Sequence, residues 1–253
     1  MSGWAAAGRR LLAHKFVRYR LLIPTSIQDG HRFDEIPFGA LERPQSQEFA
    51  TQNWFDYGDG RHGVALLNIG LPGSNVADGT LLLSLMRSAR INAYSYSGGY
   101  EPGVSSDLGL ELGQERTFHY ALVPHTGTWQ QTGLVRAGLE FNNPLIAQPL
   151  SQHPGTLPKK LRFLDVTPVN VTLSALLSAV DGEGVIARVY ESTGQPVSGA
   201  RIRFAPGVLS ASEVNLMEQA LAQVGSADNA ITFDLHPFEI KSFKVKLRPY
   251  RPN

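Results

Sequence analysis

Residues 117–129 read TFHYALVPHTGTW, and the alternation in their first half decides the fold class. Phe118, Tyr120 and Leu122 share one parity while Thr117, His119 and Ala121 share the other, the period of a half-buried strand. The first set is expected to face the core, Pro124 to end the strand, and Gly127 to free a turn. Trp129 is then expected to pack back on the sheet. The pattern recurs: Val171, Leu173, Ala175, Leu177 and Ala179 share a face in 171–179, and Phe243, Val245 and Leu247 alternate with Ser242, Lys244 and Lys246. With 25 Gly and 16 Pro placed between such segments, the chain reads as many strands joined by turns.

The stretch NNPLIAQPLSQHPGTLPKK, residues 142–160, carries four prolines and no periodicity. It divides the chain into an N-terminal lead-in over 1–30, a larger β region over 31–150, and a linker with a smaller β-sandwich over 151–253. One segment runs against this all-β reading. In SASEVNLMEQALAQV, Val214, Met217, Leu221 and Val224 follow helical spacing, and Ser210 with Glu213 forms a potential capping box, so the local expectation is a short helix.

Bulk properties exclude several functions. The 253 residues suffice to bury a core without disulfides or a structural metal. The 23 Lys and Arg nearly balance 22 Asp and Glu, so no basic face is expected to collect nucleic acid. Absence of cysteine removes thiolate nucleophiles and Cys-bearing zinc sites, and fits a cytoplasmic location. The longest apolar runs are about half the ~20 residues of a membrane helix, and no membrane partner is expected. Five Lys or Arg precede residue 21 with no acid before Asp29, but Arg9 and Arg10 break the apolar run that a secretory signal needs.

Candidate chemistry is sparse. None of the seven histidines lies three to five residues from another, so helical metal-ligand spacings are missing and no metal-ligand set is assigned. His125 is a candidate base or ligand, weighed against an ordinary half-exposed histidine in a turn. A glycosidase needs two carboxylates facing one bond; Glu35, Glu42, Asp56, Asp59, Glu191 and Glu239 are available, without a sequence signal for which of them meet. No catalytic residue is therefore assigned. Nucleophile-elbow, P-loop and dinucleotide-binding motifs are absent. INAYSYSGGYEPGVSSD places Tyr94, Tyr96 and Tyr100 in a Gly- and Ser-rich loop, where exposed rings can stack on sugars.

Several stretches together resemble the C-terminal region of the glycoside hydrolase family 38 α-mannosidases. In order they are FDEIPFGALERP, QNWFDYGDGRHGVALLN, LLLSLMRSA, FHYALVPHTGTW and LEFNNPL, followed by VIARVYESTGQPV and HPFEIKSFKVKL. The resemblance covers residues 33–247. It implies a large antiparallel β-sandwich of the supersandwich type followed by a smaller β-sandwich. It implies also that nucleophile and zinc ligands belong to a catalytic domain that this chain lacks, since the family's His-x-Asp pair occurs nowhere in the sequence. Zinc is expected there and no cofactor here.

On that resemblance the chain is a C-terminal β portion standing alone, through a split gene, a truncation or a cut domain, and is inactive by itself. Its partner would be a catalytic α-mannosidase domain or subunit, and an apolar face orphaned of that partner would favour a homo-oligomer. The LNIGLPG turn, with Asn68 and Gly70, is the loop implied to face the substrate cleft, making Asn68 a candidate sugar contact. The alternative is an autonomous carbohydrate-binding module using Tyr94, Tyr96, Tyr100 or Trp129 as platforms.

Overall fold

A computed structural model describes residues 17–88, 115–152, 154–155 and 158–249. They are all-β, in two compact units. The first takes the described residues of Met1–Asp34 and Glu42–Thr132; the second takes Glu35–Leu41 and those of Gly133–Asn253. No helix among the described residues is long and apolar enough to cross a membrane.

The segment read as a lead-in contributes a strand. β1 (Val17–Pro24) pairs antiparallel with β8 (Thr80–Ser88), which continues through β7 (Gly73–Ala77) to β4 (Phe49–Ala50). A second sheet runs in the order β3 (Gly39–Arg43), β2 (His31–Ile36), β5 (Trp54–Gly58), β6 (His62–Asn68), β9 (Tyr120–Thr126). Phe55, Tyr57 and Leu66 of this sheet pack with Val76, Leu81 and Leu83 of the other, forming a sandwich core. At its centre Arg32 spans the layers: Nε and Nη2 donate to the two Asp34 oxygens at 2.7 Å each, and Nη2 also reaches Ser74 Oγ at 3.0 Å.

β9 departs from the sequence expectation twice. It continues through Pro124 to Thr126, because β9 is the edge strand, where the N–H that proline lacks has no ladder partner to leave empty. Its phase is also inverted: Tyr120 and Leu122 are 41% and 43% exposed while Ala121, Val123 and His125 turn inward. The sheet is covered on both faces at its centre, so Leu122 aligns with buried Leu66 and Val123 with buried Ala65; alternation alone does not say which face stays covered at the edge.

The second unit is a smaller sandwich, after the helix α1 (Leu134–Asn142) and an exposed coil. One sheet orders β10 (Leu164–Thr167), β13 (Val197–Phe204), β17 (Ala230–Leu235), β16 (Ser226–Ala227). The other orders β11 (Val171–Ser178), β12 (Val185–Glu191), β18 (Ile240–Leu247), β14 (Val208–Val214), β15 (Ala220–Val224). Phe233 and Phe243 meet between them with ring centroids 4.5 Å apart, and Phe243 and Val245 are buried as the C-terminal alternation predicts.

Two expectations are corrected here. The 210–224 segment is not a helix but the β14–β15 hairpin, closed by Asn215, whose side chain accepts from Met217 N and Gln219 N. Ladder hydrogen bonds to β18 outweigh a weak helical period. In β11 a bulge between Leu173 and Ala175 shifts the phase, so Ala175 and Leu177 leave the face that carries Val171 and Leu173.

Candidate functional site

The side chains most able to do chemistry meet on the face of the β2–β5–β6–β9 sheet opposite the sandwich core. Register puts Gly58, Gly63 and His125 in one row and Asp56, Ala65 and Val123 in the next. Because Gly63 has no side chain, the His125 imidazole lies across the middle strand, and its Nε2 stands 2.7 Å from Asp56 Oδ1. Both side chains are buried, at 6% and 4% exposure, so His125 is no turn histidine. Burial pushes the Asp56 carboxyl up, and the hydrogen bond and charge of His125 oppose that push.

A Cβ on residue 63 would stand 2.3 Å from His125 Cε1. Gly63→Ala is therefore expected to lower the unfolding free energy by about 2 kcal/mol through overpacking. Urea unfolding of the single variant and of Gly63→Ala in a His125→Ala background checks this; an equal loss in both backgrounds would sink it.

Beside the pair, the chain turns through Gly127 into a short 3-10 turn, Trp129–Gln131. Trp129 is buried and packs on Phe33 and Trp54, with ring centroids 5.8 and 5.3 Å away. It packs back on the sheet as expected and is thereby unavailable as a sugar-stacking face. A cavity of about 210 Å3 opens here, lined by His31, Phe33, Asp56, Asp59, Trp129 and Gln130 with glycine backbone between them.

Of the six candidate carboxylates Asp56 and Asp59 line this one cavity, and the other four stand elsewhere. Asp59 caps a turn by accepting from Arg61 N and His62 N, and those bonds hold its carboxyl below the usual range. Glu42 bonds His31 Nδ1 at 2.6 Å. Glu239 accepts from His236 N. Glu191 is buried within a turn of the second unit, and Glu35 is buried beside Tyr190. Burial first, then the Glu35 and Glu191 charges, push the Tyr190 phenol up to about 12.

Asn68 is wholly buried. Its carbonyl accepts from Leu71 N at 3.0 Å and its amide donates to Gln52 O at 3.1 Å, so the side chain shapes the turn that it begins. Tyr94, Tyr96 and Tyr100 lie outside the described residues. The His125–Asp56 pair escaped sequence reading because its members are 69 positions apart; the signal was Gly63, a glycine inside a strand pattern.

The zinc implied by the resemblance does not fit the residues present. Among the described residues no three His, Cys, Asp or Glu side chains stand together to hold a metal ion, and the His125–Asp56 pair spends Nε2 on its own carboxylate.

The fold and its sequence define a class. The model of the glycosyl hydrolases family 38 C-terminal domain matches residues 10–94, and that of the family 38 C-terminal beta sandwich domain matches residues 170–243. The chain belongs to glycosyl hydrolase family 38, and what it carries is the C-terminal β region.

Among curated relatives, Alpha-mannosidase 2C1 of Homo sapiens is 27% identical over 249 residues, covering 94% of this chain and 22% of that protein. Alpha-mannosidase G of Dictyostelium discoideum is 27% identical over 250 residues, covering 92% and 21%. The chain thus spans about a fifth of the length of these relatives. Among solved structures, an alpha-mannosidase from Enterococcus faecalis V583 superposes with a TM-score of 0.71 at 20% identity, over 90% of this chain and 25% of that one. A family 38 protein from Enterococcus faecalis gives 0.70 at 21%, over 90% and 26%. At these identities the two structures speak for the fold.

Proposed function

We propose that this chain is the non-catalytic β region of an α-mannosidase and supports a zinc-dependent catalytic portion in hydrolysing α-mannosides. The observation that carries the reading is the pairing of two C-terminal family models with relatives that are α-mannosidases some four to five times longer. The carboxylates agree with it, since Asp56, Asp59, Glu42, Glu191 and Glu239 are each engaged by a histidine or by turn donors. The catalytic portion would bring the nucleophile and the zinc; this chain would bring a rigid platform.

The Asn68–Leu71 turn is the part we assign to the partner's cleft. Its Asn68 side chain fixes the turn and Ile69 is left 42% exposed, while Tyr120 and Leu122 of the edge strand β9 are exposed as well. In this reading Asn68 acts on sugar through the loop that it holds. Without the catalytic portion, these exposed apolar side chains would favour association of two copies.

The chain alone is expected to leave an aryl α-mannoside intact with or without added zinc, and to restore turnover when combined with a family 38 catalytic portion made without its C-terminal region. Ile69→Asp with Leu122→Asp should abolish that restoration while leaving unfolding unchanged. Hydrolysis by the isolated chain would overturn the proposal.

A further inference from the structure

We infer that the cavity beside Asp56 and Trp129 is a binding site for a single neutral hexopyranose. The inference stands apart from the supporting role proposed above, because it concerns binding by this chain itself.

The size of the cavity sets the first limit. Its 210 Å3 suits one sugar ring and falls short of the roughly 300–1,000 Å3 of drug-sized sites. An oligosaccharide would have to extend outside it.

The walls set the second. Half-buried Phe33 supplies an aromatic surface for the C–H face of a pyranose, with buried Trp129 behind it at 5.8 Å. The same lining carries Asp56, Asp59, His31 and Gln130, a set rich in acceptors that can take hydrogen bonds from neighbouring hydroxyls. The lining contains no Lys or Arg, so phosphorylated and carboxylated ligands lack a counter-charge.

A small ammonium ion is the rival, since carboxylates and aromatic rings attract cations. Asp56 Oδ1 is engaged by His125, and Asp59 Oδ1 by two backbone N–H groups. The several hydroxyl donors of one pyranose can share the lone pairs that remain, and choline enters the test below as the competing ligand. Gln130 brings to the lining a side-chain amide that can both donate and accept.

The test is calorimetric titration of the whole chain with methyl α-mannoside, methyl α-glucoside and choline, followed also by tryptophan fluorescence. Saturable pyranoside binding with a Kd of about 1 mM, the weak end suited to so small a ligand, is expected. The variant carrying Gln130→Ala and His31→Ala, both outside the sandwich core, should weaken it at least about tenfold with the unfolding midpoint unchanged. Preference between the two sugars would name the source, and either supports the site. Absence of saturable binding, equal affinity in the variant, or binding of choline in place of the pyranosides would overturn it.

Discussion

Glu191→Ala is expected to remove about 4 kcal/mol of stability from the second unit, because it orphans buried donors worth roughly 1–3 kcal/mol apiece. The Glu191 residue is fully buried. Its Oε1 accepts from Thr193 Oγ1 at 2.6 Å, Thr193 N at 2.8 Å and Asn170 Nδ2 at 3.1 Å. Its Oε2 accepts from Gly194 N at 2.7 Å, and from Gln195 N and Phe238 N at 3.1 Å each. One carboxylate thereby ties the turn after β12 to the turn before β18.

Glu191→Gln keeps the shape but turns an NH2 toward N–H groups, so a loss of about 2 kcal/mol is expected. The effect carries a pH signature. Burial pushes the Glu191 carboxyl up, yet the bonds from Thr193, Phe238 and Gly194 outweigh it and hold the group below its ordinary value. A carboxyl more acidic in the folded state contributes fully above its unfolded pKa of about 4.3 and loses that contribution as pH falls through the folded value. The gap between the native protein and Glu191→Ala should therefore narrow on acidification. Urea unfolding at pH 7 and at about pH 3.5 measures it; a gap that is small at neutral pH, or indifferent to pH, counts against the account.

Arg32→Met is expected to cost about 3–5 kcal/mol, since it strands a buried carboxylate. Arg32 and Asp34 are both 0% exposed. The guanidinium also donates to Gln47 O at 3.0 Å and stands 5.7 and 5.5 Å from the Phe49 and Phe55 ring centroids. Burial already pushes the Asp34 carboxyl up against the pull of Arg32. Without Arg32 it rises further, and an acid raised in the folded state binds more protons folded than unfolded, so stability falls as pH rises.

The Arg32→Met deficit should accordingly be larger at pH 7 than at pH 5, the opposite sense to Glu191→Ala. Arg32→Met combined with Asp34→Leu should recover most of the loss, because a buried pair replaced by apolar groups removes both desolvation costs together. A double variant as unstable as the single would show that Arg32 acts through packing and its Gln47 and Ser74 bonds rather than through Asp34.

Strand composition was legible wherever one face stays dry along the whole strand. Phe243 and Val245 are buried where the alternation puts them, and the family motifs fall on β2, β3, β5, β6, β8, β9, β12 and β18, with LEFNNPL at the end of α1. Legibility failed where two elements compete for the same pattern. Met217 and Leu221 keep helical spacing, but the β14–β15 hairpin, held to β18 through β14, claims the segment and leaves both side chains exposed. Candidate chemistry was less readable still. Asp56 and Glu191 look alike in the sequence, while one faces a histidine and a cavity and the other fills a turn with six donors.

The sequence by itself determined the all-β class and the family, because period-2 alternation and ordered motifs are local properties of the chain. Only the tertiary structure decided which face of β9 is covered, that Gly63 makes room for His125 over the middle strand, and that Asn68 and Glu191 spend their polar atoms on turns. Each of these depends on strand register and on the unpaired donors that burial leaves, and those are fixed between residues tens of positions apart.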